Sequence, residues 1–293
     1  MPEFPDVTVY IESLQSRIVS YPLQKIRLAS PFVLRSVEPP LQEAQETKVI
    51  GLRRLGKQIV WQLENEIFMV FHLMIAGRFH WKKVGAKASP KIGLAAFDFP
   101  HGTLLFTEAS SKKRASLHLV RGESDLAKFD RGGIEIFESS FQDFDRTLRS
   151  EHHTLKRALT DPRLFSAIGN AYSDEILHRA HLSPLLLTHK LSDDQSRALF
   201  QSIRETLTEW VKRLREQTGN NFPENVTAFH EEMAVHGKFG KPCPVCSSKV
   251  QRIVYAENEC YYCPRCQTNG RLLADRSLSR LLKDDWPKTI DEQ

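Results

Sequence analysis

The sequence predicts an α+β protein of several domains, and three features of the 293-residue chain indicate this fold class. Apolar residues recur at helical spacing in residues 7–18 and again from about 141 to 217. Short alternating or apolar runs, separated by turn residues, fill the interval from about 25 to 120. All five cysteines lie between Cys243 and Cys266. We therefore expect an N-terminal helix with an antiparallel β-sandwich or barrel, then a helical domain, then a small cysteine module.

The first helix and the strands after it have recognisable start and turn signals. Pro5 suits the helix start through its fixed φ, and Asp6 through a carboxylate near the free N–H groups. The tripeptide Pro100-His101-Gly102 predicts a hairpin turn between two strands. The segments with strand character are KQIVWQL, EIFMVFHLMI, GLAAFDF and TLLFTEA.

The helical region contains several amphipathic segments, among them FQDFDRTLRS, TLKRALTD and SDEILHRA. The longest helix is expected to begin at Ser192–Asp193, which can cap it, and to end at Gly219. The stretch GNNFPENVTAF then predicts a linker that leads to the cysteine module.

Composition and charge narrow the class of protein. The chain is 41% hydrophobic and 26% charged, which is typical of soluble globular proteins. No apolar run has the length of a membrane span, and the first twenty residues lack the apolar segment of a secretory signal. We therefore expect a cytoplasmic protein without a membrane partner. The net charge of +5 and the basic clusters at residues 111–114 and 238–271 favour an anionic partner, although either cluster alone is more often a solvated surface.

The cysteine spacing predicts a structural zinc site. Cys243-x2-Cys246 and Cys263-x2-Cys266 are two C-P-x-C turns, and each can place two sulfurs on one metal. Four reduced thiols without a metal are improbable at this spacing. Cys260 and Cys263 also have C-x2-C spacing, but pairing these two would leave Cys266 without a partner, so we expect Cys260 to be the spare. A four-thiolate site has no open position, so the chemistry must lie elsewhere.

Five sequence patterns occur in order along the chain: PEFPDV at 2–7, RRLGK at 53–57, HLMIAGR at 72–78, IGNAYSDEIL at 168–177, and VHGKFGKPCPVC leading to CPRCQ at 235–267. Together they resemble the formamidopyrimidine-DNA glycosylase/endonuclease VIII family of base-excision repair enzymes. The resemblance covers residues 2 to 267, in the family order. It implies a β-sandwich domain with the N-terminal helix, a helix–two-turns–helix domain and a zinc ribbon, which we expect at residues 1–130, 131–236 and 237–270. Residues 271–293 are expected to form a helical tail that the family often lacks. In the tail, a helical stripe is formed by Leu278, Leu281, Leu282 and Trp286.

The resemblance implies that Pro2 is the catalytic nucleophile once Met1 has been removed. A neutral α-amine can attack the sugar C1′, expel the damaged base and form a Schiff base that permits strand cleavage. Glu3 is implied as the acid/base, and Lys57 as the hairpin lysine that contacts phosphate and assists catalysis. Without the resemblance, Pro2 is better interpreted as a rigid helix-flanking residue and Lys57 as a solvated turn lysine.

The resemblance also implies DNA contacts. Asn170 matches the family asparagine that binds phosphate, with an ordinary helix N-cap as the alternative. Lys156 is a second phosphate candidate, with a surface helix residue as the alternative. Ile75 matches the methionine that fills the space left by the extruded base, Met74 is the second candidate, and burial of both in the sandwich core is the alternative.

Three departures from the family pattern concern lesion recognition. Asn258 stands where the family carries a phosphate-binding arginine, and Arg252, Arg265 or the tail could take over that role. EASSKK at residues 108–113 replaces the loop that reads the opposite base, and the lesion-covering loop is shortened to NNFPENVTAF.

We therefore expect a monomeric base-excision glycosylase with AP lyase activity that acts on damaged double-stranded DNA near the nucleoid. We expect weak excision of 8-oxoguanine opposite cytosine and better activity on abasic sites or on bubble or single-stranded DNA. The alternatives are a predominantly AP-site lyase and a catalytically weak protein that binds damaged DNA.

Overall fold

The computed structural model describes residues 1–224, 226, 229–255, 258–273 and 288–292. The chain forms two compact units. The first contains Met1–Arg131 and Trp210–Thr227, and the second contains Gly132–Glu209 and Ala228–Gln293. Within the described residues, no helix combines the length and the apolar character needed to cross a bilayer.

The first unit consists of a helix followed by two antiparallel sheets, as the sequence predicts. The helix is α1 (Phe4–Ile18). The five-stranded sheet has the order β1 (Pro22–Leu23), β3 (Thr47–Leu55), β4 (Gln58–Leu63), β5 (Ile67–His72) and β9 (Ser116–Arg121). The four-stranded sheet has the order β2 (Lys25–Leu28), β7 (Gly93–Phe99), β8 (Gly102–Glu108) and β6 (Gly77–Lys82). Buried residues of both sheets and of α1 share one hydrophobic core, and the short helix α2 (Gly122–Ala127) follows β9.

Strand register confirms the predicted turns of the sandwich. Phe99 pairs with Gly102, so the turn lies at Pro100 and His101. Gly102 is required there, because a Cβ atom at this position would lie 2.2 Å from the ring of Trp81. The segment EIFMVFHLMI is only partly a strand, since β5 ends at His72. The residues after it form a loop.

The second unit contains the predicted helices. They are α3 (Phe141–Arg149), α4 (Leu155–Thr160), α5 (Asn170–Arg179) and α6 (Asp193–Thr218), whose last turns belong to the first unit. Ser192 caps α6 as predicted, because its hydroxyl accepts the N–H of Gln195 at 3.2 Å and Gln195 Oε1 accepts the N–H of Ser192 at 3.0 Å. Gly219 follows the helix with φ +54°, a conformation that favours glycine.

The cysteine module forms a hairpin and a short helix. These are β10 (Gln251–Tyr255), β11 (Asn258–Tyr262) and α7 (Pro264–Thr268). The described end of the chain returns to this module, since Leu272 N donates to Lys288 O at 2.8 Å and Ile290 N donates to Gly270 O at 2.9 Å. The predicted stripe at Leu278, Leu281, Leu282 and Trp286 lies outside the described residues.

Candidate active site

The chain start is held by a capping box at the N-terminus of α1. Glu3 is the N-cap residue, and its N–H donates to Asp6 Oδ2 at 2.9 Å. Pro5 lies in the first turn, where its missing N–H costs nothing. Glu3 and Asp6 are each only 1% exposed. The carboxylate of Glu3 is therefore fixed inside the protein, beside helix N–H groups that stabilise negative charge.

Four charged side chains surround the terminal amine of this unit. Burial is the main cause that lowers the pKa of the Met1 amino group. Glu3 and Asp6 oppose this change, whereas Arg78 and Lys57 lower the pKa further. Pro2 is buried next to this amine. An amine at the chain start therefore lies in a dry environment, with the carboxylate of Glu3 and two cations near it.

Lys57 lies in a tight hairpin turn between β3 and β4, directly before the strand, as the resemblance implies. Leu55 pairs with Gln58, which leaves Gly56 and Lys57 as the two turn residues. Gly56 has φ +58°, a conformation that favours glycine. Arg54 Nη1 donates to Gly56 O at 3.0 Å, and its guanidinium lies 4.8 Å from the centre of the Phe4 ring. This contact joins the turn to the first residue of α1.

The loop after β5 presents an apolar side chain to solvent. Ile75 is 64% exposed, so the alternative that places it in the sandwich core is wrong. Met74 is half-buried and has φ +52°. Gly77 N donates to Leu73 O at 2.8 Å, and a Cβ atom on Gly77 would lie 2.2 Å from that oxygen. The loop is therefore a tight turn that requires glycine, with Ile75 at its exposed tip.

Two side chains that fix this loop were missed in the sequence. Arg78 Nη1 donates to Ile75 O at 3.1 Å and to Gly77 O at 2.6 Å. His72 Nδ1 accepts the N–H of Met74 at 3.1 Å. Burial, with a further contribution from Lys57, lowers the pKa of His72 to about 4, which keeps the imidazole neutral and able to accept. Both residues belong to the HLMIAGR pattern, so the sequence contains a signal for them. The resemblance assigns roles only to Met74 and Ile75 in that pattern.

The loop after β8, at residues 109–114, is tied down by Glu108. This buried carboxylate accepts the N–H of Arg114 at 2.9 Å and that of Ala115 at 3.1 Å. Lys113 Nζ donates to the main-chain oxygen of the same glutamate. Residues 109–114 therefore form a short basic loop, and Ala109 is the only apolar residue in it, too small to insert between bases.

Asn170 occupies the N-terminus of α5 in the second unit. Gly169 is the N-cap residue, so the alternative role of Asn170 as the N-cap is wrong. The Asn170 side-chain amide donates to Glu259 O in β11 at 2.9 Å. Asn170 thus lies between the first turn of α5 and the cysteine hairpin, at a helix end suited to anions.

Lys156 does not lie where the sequence predicted. It is 3% exposed, and its Nζ donates to Asn170 O at 2.6 Å, to Ser173 Oγ at 2.8 Å and to Asp174 Oδ1 at 2.5 Å. Asp174 Oδ2 also lies 2.7 Å from His236 Nδ1. A buried ammonium needs such partners, and here they enclose it. Both interpretations of Lys156, as a phosphate contact and as a surface residue of a helix, are therefore wrong. Lys156 instead supports the backbone at Asn170.

Asn258 lies at the exposed tip of the β10–β11 hairpin, where it pairs with Tyr255. Arg252, one of the residues that could replace the missing arginine, is already engaged. Its Nη1 lies 2.8 Å from Glu259 Oε1, and its guanidinium lies 4.6 Å from the centre of the Phe239 ring. The charge of Arg252 is therefore already balanced by Glu259.

The four predicted cysteines come together as a metal site. The sulfurs of Cys243, Cys246, Cys263 and Cys266 all lie within 4.8 Å of one another. The pairs Cys243–Cys266 and Cys246–Cys263 are 3.9 and 3.3 Å apart, close to the ~3.8 Å expected for thiolates on one tetrahedral zinc ion. These residues therefore fit zinc.

Cys260 lies apart from the four ligands. It is 1% exposed and packs with Ile253, Tyr262 and Leu273. Burial raises the pKa of its thiol well above the ordinary value, so it remains protonated. His178, which lies in α5, has its Nε2 3.3 Å from Cys243 Sγ. This is close enough for a ring N–H to donate to the thiolate of Cys243.

Comparisons with known proteins agree with this arrangement. Three domain families match the chain: the formamidopyrimidine-DNA glycosylase N-terminal domain over residues 1–116, the formamidopyrimidine-DNA glycosylase H2TH domain over residues 134–221, and the zinc finger found in FPG and IleRS over residues 240–269. The chain is 30% identical over 282 residues to the formamidopyrimidine-DNA glycosylase of Heliobacterium modesticaldum, covering 91% of this chain and 100% of the relative. It is 37% identical over 151 residues to an uncharacterised formamidopyrimidine-DNA glycosylase-like protein of Mycobacterium tuberculosis, covering 52% of this chain and 94% of the relative.

A solved structure of Lactococcus lactis Fpg, in complex with DNA containing an oxidised pyrimidine, has a similar fold. The TM-score is 0.80 at 25% identity, and the match covers 91% of this chain and 100% of that chain. A complex of LlFpg with THF-DNA and an inhibitor matches with a TM-score of 0.81 at 25% identity, over 91% and 100% of the two chains.

Proposed function

The chain belongs to the formamidopyrimidine-DNA glycosylase family, and we propose that it excises damaged bases with the N-terminal amine of Pro2, released by removal of Met1. It is a DNA glycosylase of base excision repair and carries one structural zinc site. Four thiolates leave no open coordination position, so the metal stabilises the fold and the chemistry belongs to side chains and the chain start.

The observation that carries the proposal is the burial of the chain start beside Glu3, Lys57 and Arg78. Burial disfavours the ammonium form of an amine, and two nearby cations disfavour it further. A larger fraction of the amine is then neutral at cellular pH, and only the neutral form is a nucleophile. A rigid helix-flanking proline would need none of these neighbours.

The proposed reaction proceeds in two stages. The amine of Pro2 attacks C1′ and passes its proton to the carboxylate of Glu3, while the C1′–N bond to the base breaks with its electron pair on the base, which takes a proton from solvent. The sugar ring opens, its oxygen takes a proton from Glu3, and an iminium joins Pro2 to C1′. Glu3, again a carboxylate, then takes a C2′ proton, the 3′ phosphate oxygen leaves with the electron pair of the C3′–O bond, and the strand is cut.

The surrounding residues hold the substrate in this proposal. Lys57 and Arg78 provide positive charge for phosphate beside the lesion. The exposed Ile75 fills the space that the extruded nucleotide leaves, and its 64% exposure supports it over Met74. In the second unit, Asn170 and Asn258 face the DNA backbone. Lys156 acts by supporting Asn170, to which it is hydrogen-bonded at 2.6 Å.

The substrate range follows from what the lesion-reading elements lack. The basic loop at residues 109–114 has no intercalating side chain, and Asn258 offers no charge to phosphate. We therefore expect poor excision of 8-oxoguanine opposite cytosine, and better activity on abasic sites and on bubble or single-stranded DNA, where extrusion costs less. The same features favour a predominantly AP-site lyase as the second candidate. A monomer acting at the nucleoid of a bacterial cell is consistent with the bacterial relatives.

A substrate panel tests this function. The protein with Met1 removed is incubated with matched duplexes and bubbles that carry an oxidised pyrimidine, 8-oxoguanine or an abasic site. Base release and strand cleavage are measured separately, and a form with an uncleaved N-terminal extension is the control. We expect base release and cleavage for the oxidised pyrimidine and fast cleavage at the abasic site. Cleavage at abasic sites alone would favour the AP-lyase alternative, and binding without any cleavage would contradict an enzymatic role.

A further inference from the structure

Two phenylalanine rings are exposed on the second unit beside the cysteine hairpin. Phe229 is 66% exposed and Phe239 is 49% exposed. A phenyl ring exposed to water lacks the stabilisation that burial of apolar surface gives. Groups of exposed apolar side chains therefore often mark a binding surface. We propose that these rings, together with Arg252, form a platform on which unpaired DNA bases stack. This inference rests on the proposed function, because it assumes a DNA substrate.

The first ring has a rigid support. Phe229 stacks on His236, with ring centres 5.3 Å apart and planes inclined by 22°. A Cβ atom on Gly237 would lie 2.9 Å from the Phe229 ring, so glycine permits this close approach. His236 is itself 3% exposed, and its Nδ1 lies 2.7 Å from Asp174 Oδ2. One face of Phe229 is therefore covered by a fixed imidazole, while most of the ring remains in contact with water.

Side-chain contacts link this ring to the second one. His236 packs edge-on against Tyr261, with ring centres 5.2 Å apart, and the Tyr261 hydroxyl donates to Glu259. Glu259 pairs with Arg252 at 2.8 Å, and Arg252 lies 4.6 Å from the centre of the Phe239 ring. We call this connected set the aromatic strip: Phe229, His236, Tyr261, Glu259, Arg252 and Phe239.

The chemistry of the aromatic strip suits bases rather than another protein. Every base has a π-face, so stacking on phenylalanine and arginine is tolerant of sequence. Residues 238–252 contain four lysines or arginines and no aspartate or glutamate, which favours a polyanion. Glu259 already neutralises Arg252, so the strip itself would add stacking rather than a further phosphate contact.

The strip also adjoins the proposed phosphate site. The Asn170 amide donates at 2.9 Å to the main-chain oxygen of Glu259, whose carboxylate lies within the chain of contacts that joins the two rings. A strand whose phosphate is held at Asn170 would then have its neighbouring bases within reach of the strip. Bubble and single-stranded DNA offer such bases without the cost of unpairing.

Binding of a labelled oligothymidylate tests the platform. The oligomer has about 12 nucleotides, within the usual site size for single strands, and fluorescence anisotropy is measured with the full-length, zinc-loaded protein. Phe229→Ala and Phe239→Ala should each weaken binding roughly five- to a hundredfold, the range for loss of one stacked base. Phe239→Tyr should retain binding, and the salt slope should not change. Phe32→Ala is the matched control, since Phe32 is 74% exposed and lies in the first unit.

A base-free oligomer of tetrahydrofuran units separates stacking from backbone contacts. The alanine variants should bind it as the wild type does, and unchanged zinc content should show that the module is folded. The inference is overturned if the wild type does not bind oligothymidylate, if the alanine variants bind within twofold of it, or if they lose the base-free oligomer equally. Failure here with intact cleavage of abasic duplexes would refute the platform alone, whereas ring-dependent binding without cleavage would refute the proposed function alone.

Discussion

At the residue scale, the reactivity of the chain start depends on the charges around its amine. Burial, Arg78 and Lys57 lower the pKa of the terminal amino group, and Glu3 and Asp6 partly oppose them. The immediate surroundings also distinguish the four zinc ligands from Cys260. The four ligand sulfurs face one another, whereas Cys260 faces an apolar cluster and remains protonated. Single substitutions should separate these roles.

The first prediction concerns the pH dependence of strand cleavage at abasic sites. Only the neutral amine reacts, so a lowered pKa moves the rise in rate to lower pH. The lowered pKa is that of the Met1 amino group, and Pro2 is buried directly beside it, so with Pro2 as the terminal residue we expect the midpoint to lie below the ordinary value of 8.0 for an α-amine. Arg78→Gln removes a positive charge, which should raise the amine pKa and move the midpoint upward. Single-turnover rates across pH give both midpoints, and a downward shift in the variant would contradict the assignment.

The second prediction concerns Asn258. Asn258→Arg should tighten DNA binding by about 1.5–3 kcal/mol, the scale for hydrogen bonds to a charged group. The salt dependence should steepen by about one phosphate contact, measured from dissociation constants at several salt concentrations. Asn258→Gln, which keeps the amide and adds no charge, is the control. If the arginine variant has the same affinity and salt slope as the wild type, another cation already fills this role. The contacts of Arg252 with Glu259 and Phe239 argue against Arg252 as that cation.

The third prediction concerns the spare cysteine. Cys260→Ala should retain one zinc ion per chain, because its thiol lies outside the four-sulfur group. Cys263→Ala should lose the metal and, with it, the fold of the module, since a structural zinc site contributes directly to folding. Metal analysis of both purified variants decides the point. Zinc loss in Cys260→Ala with retention in Cys263→Ala would reverse the ligand assignment.

At the element scale, the sequence predicts what depends on local pattern and fails where distant residues meet. The hairpin turn at Pro100 and His101 and the cap at Ser192 were predictable, because turn and cap residues act on their own neighbours. The burial of Lys156 was not predictable. It depends on Asp174, which helix packing brings to its ammonium, and no helical periodicity shows that pairing.

The fourth prediction concerns the buried pair between α4 and α5. Lys156→Met leaves Asp174 buried with one partner fewer, which should lower the free energy of unfolding by about 3–5 kcal/mol. It should also weaken DNA binding, since Lys156 supports Asn170. Denaturant unfolding measures the first effect. Arg157→Met, the exposed neighbour on the same helix, is the control and should cost little. A loss below about 1 kcal/mol in Lys156→Met would show that the ion pair is not essential.

At the scale of the whole molecule, the order of sandwich, helices and cysteine module follows from changes of period along the chain. The grouping of residues 210–227 with the first unit does not. It arises because Phe222 enters the sandwich core beside Tyr10, with ring centres 5.8 Å apart. Glu224 also pairs with His80 at 2.6 Å and with Lys82 at 3.0 Å. A linker composition gives no sign of such contacts, since they depend on which strand faces the linker after folding.

The measurement that tests the central claim most directly is borohydride trapping on abasic duplex DNA, followed by mapping of the modified residue. With Met1 removed, reduction of the iminium should give a stable protein–DNA adduct in which the DNA is attached to the nitrogen of Pro2. A form with an uncleaved N-terminal extension, whose Pro2 nitrogen is an amide, should give none. An adduct that persists with the extension, or that maps to Lys57 or another lysine, would contradict the assignment of Pro2 as the nucleophile.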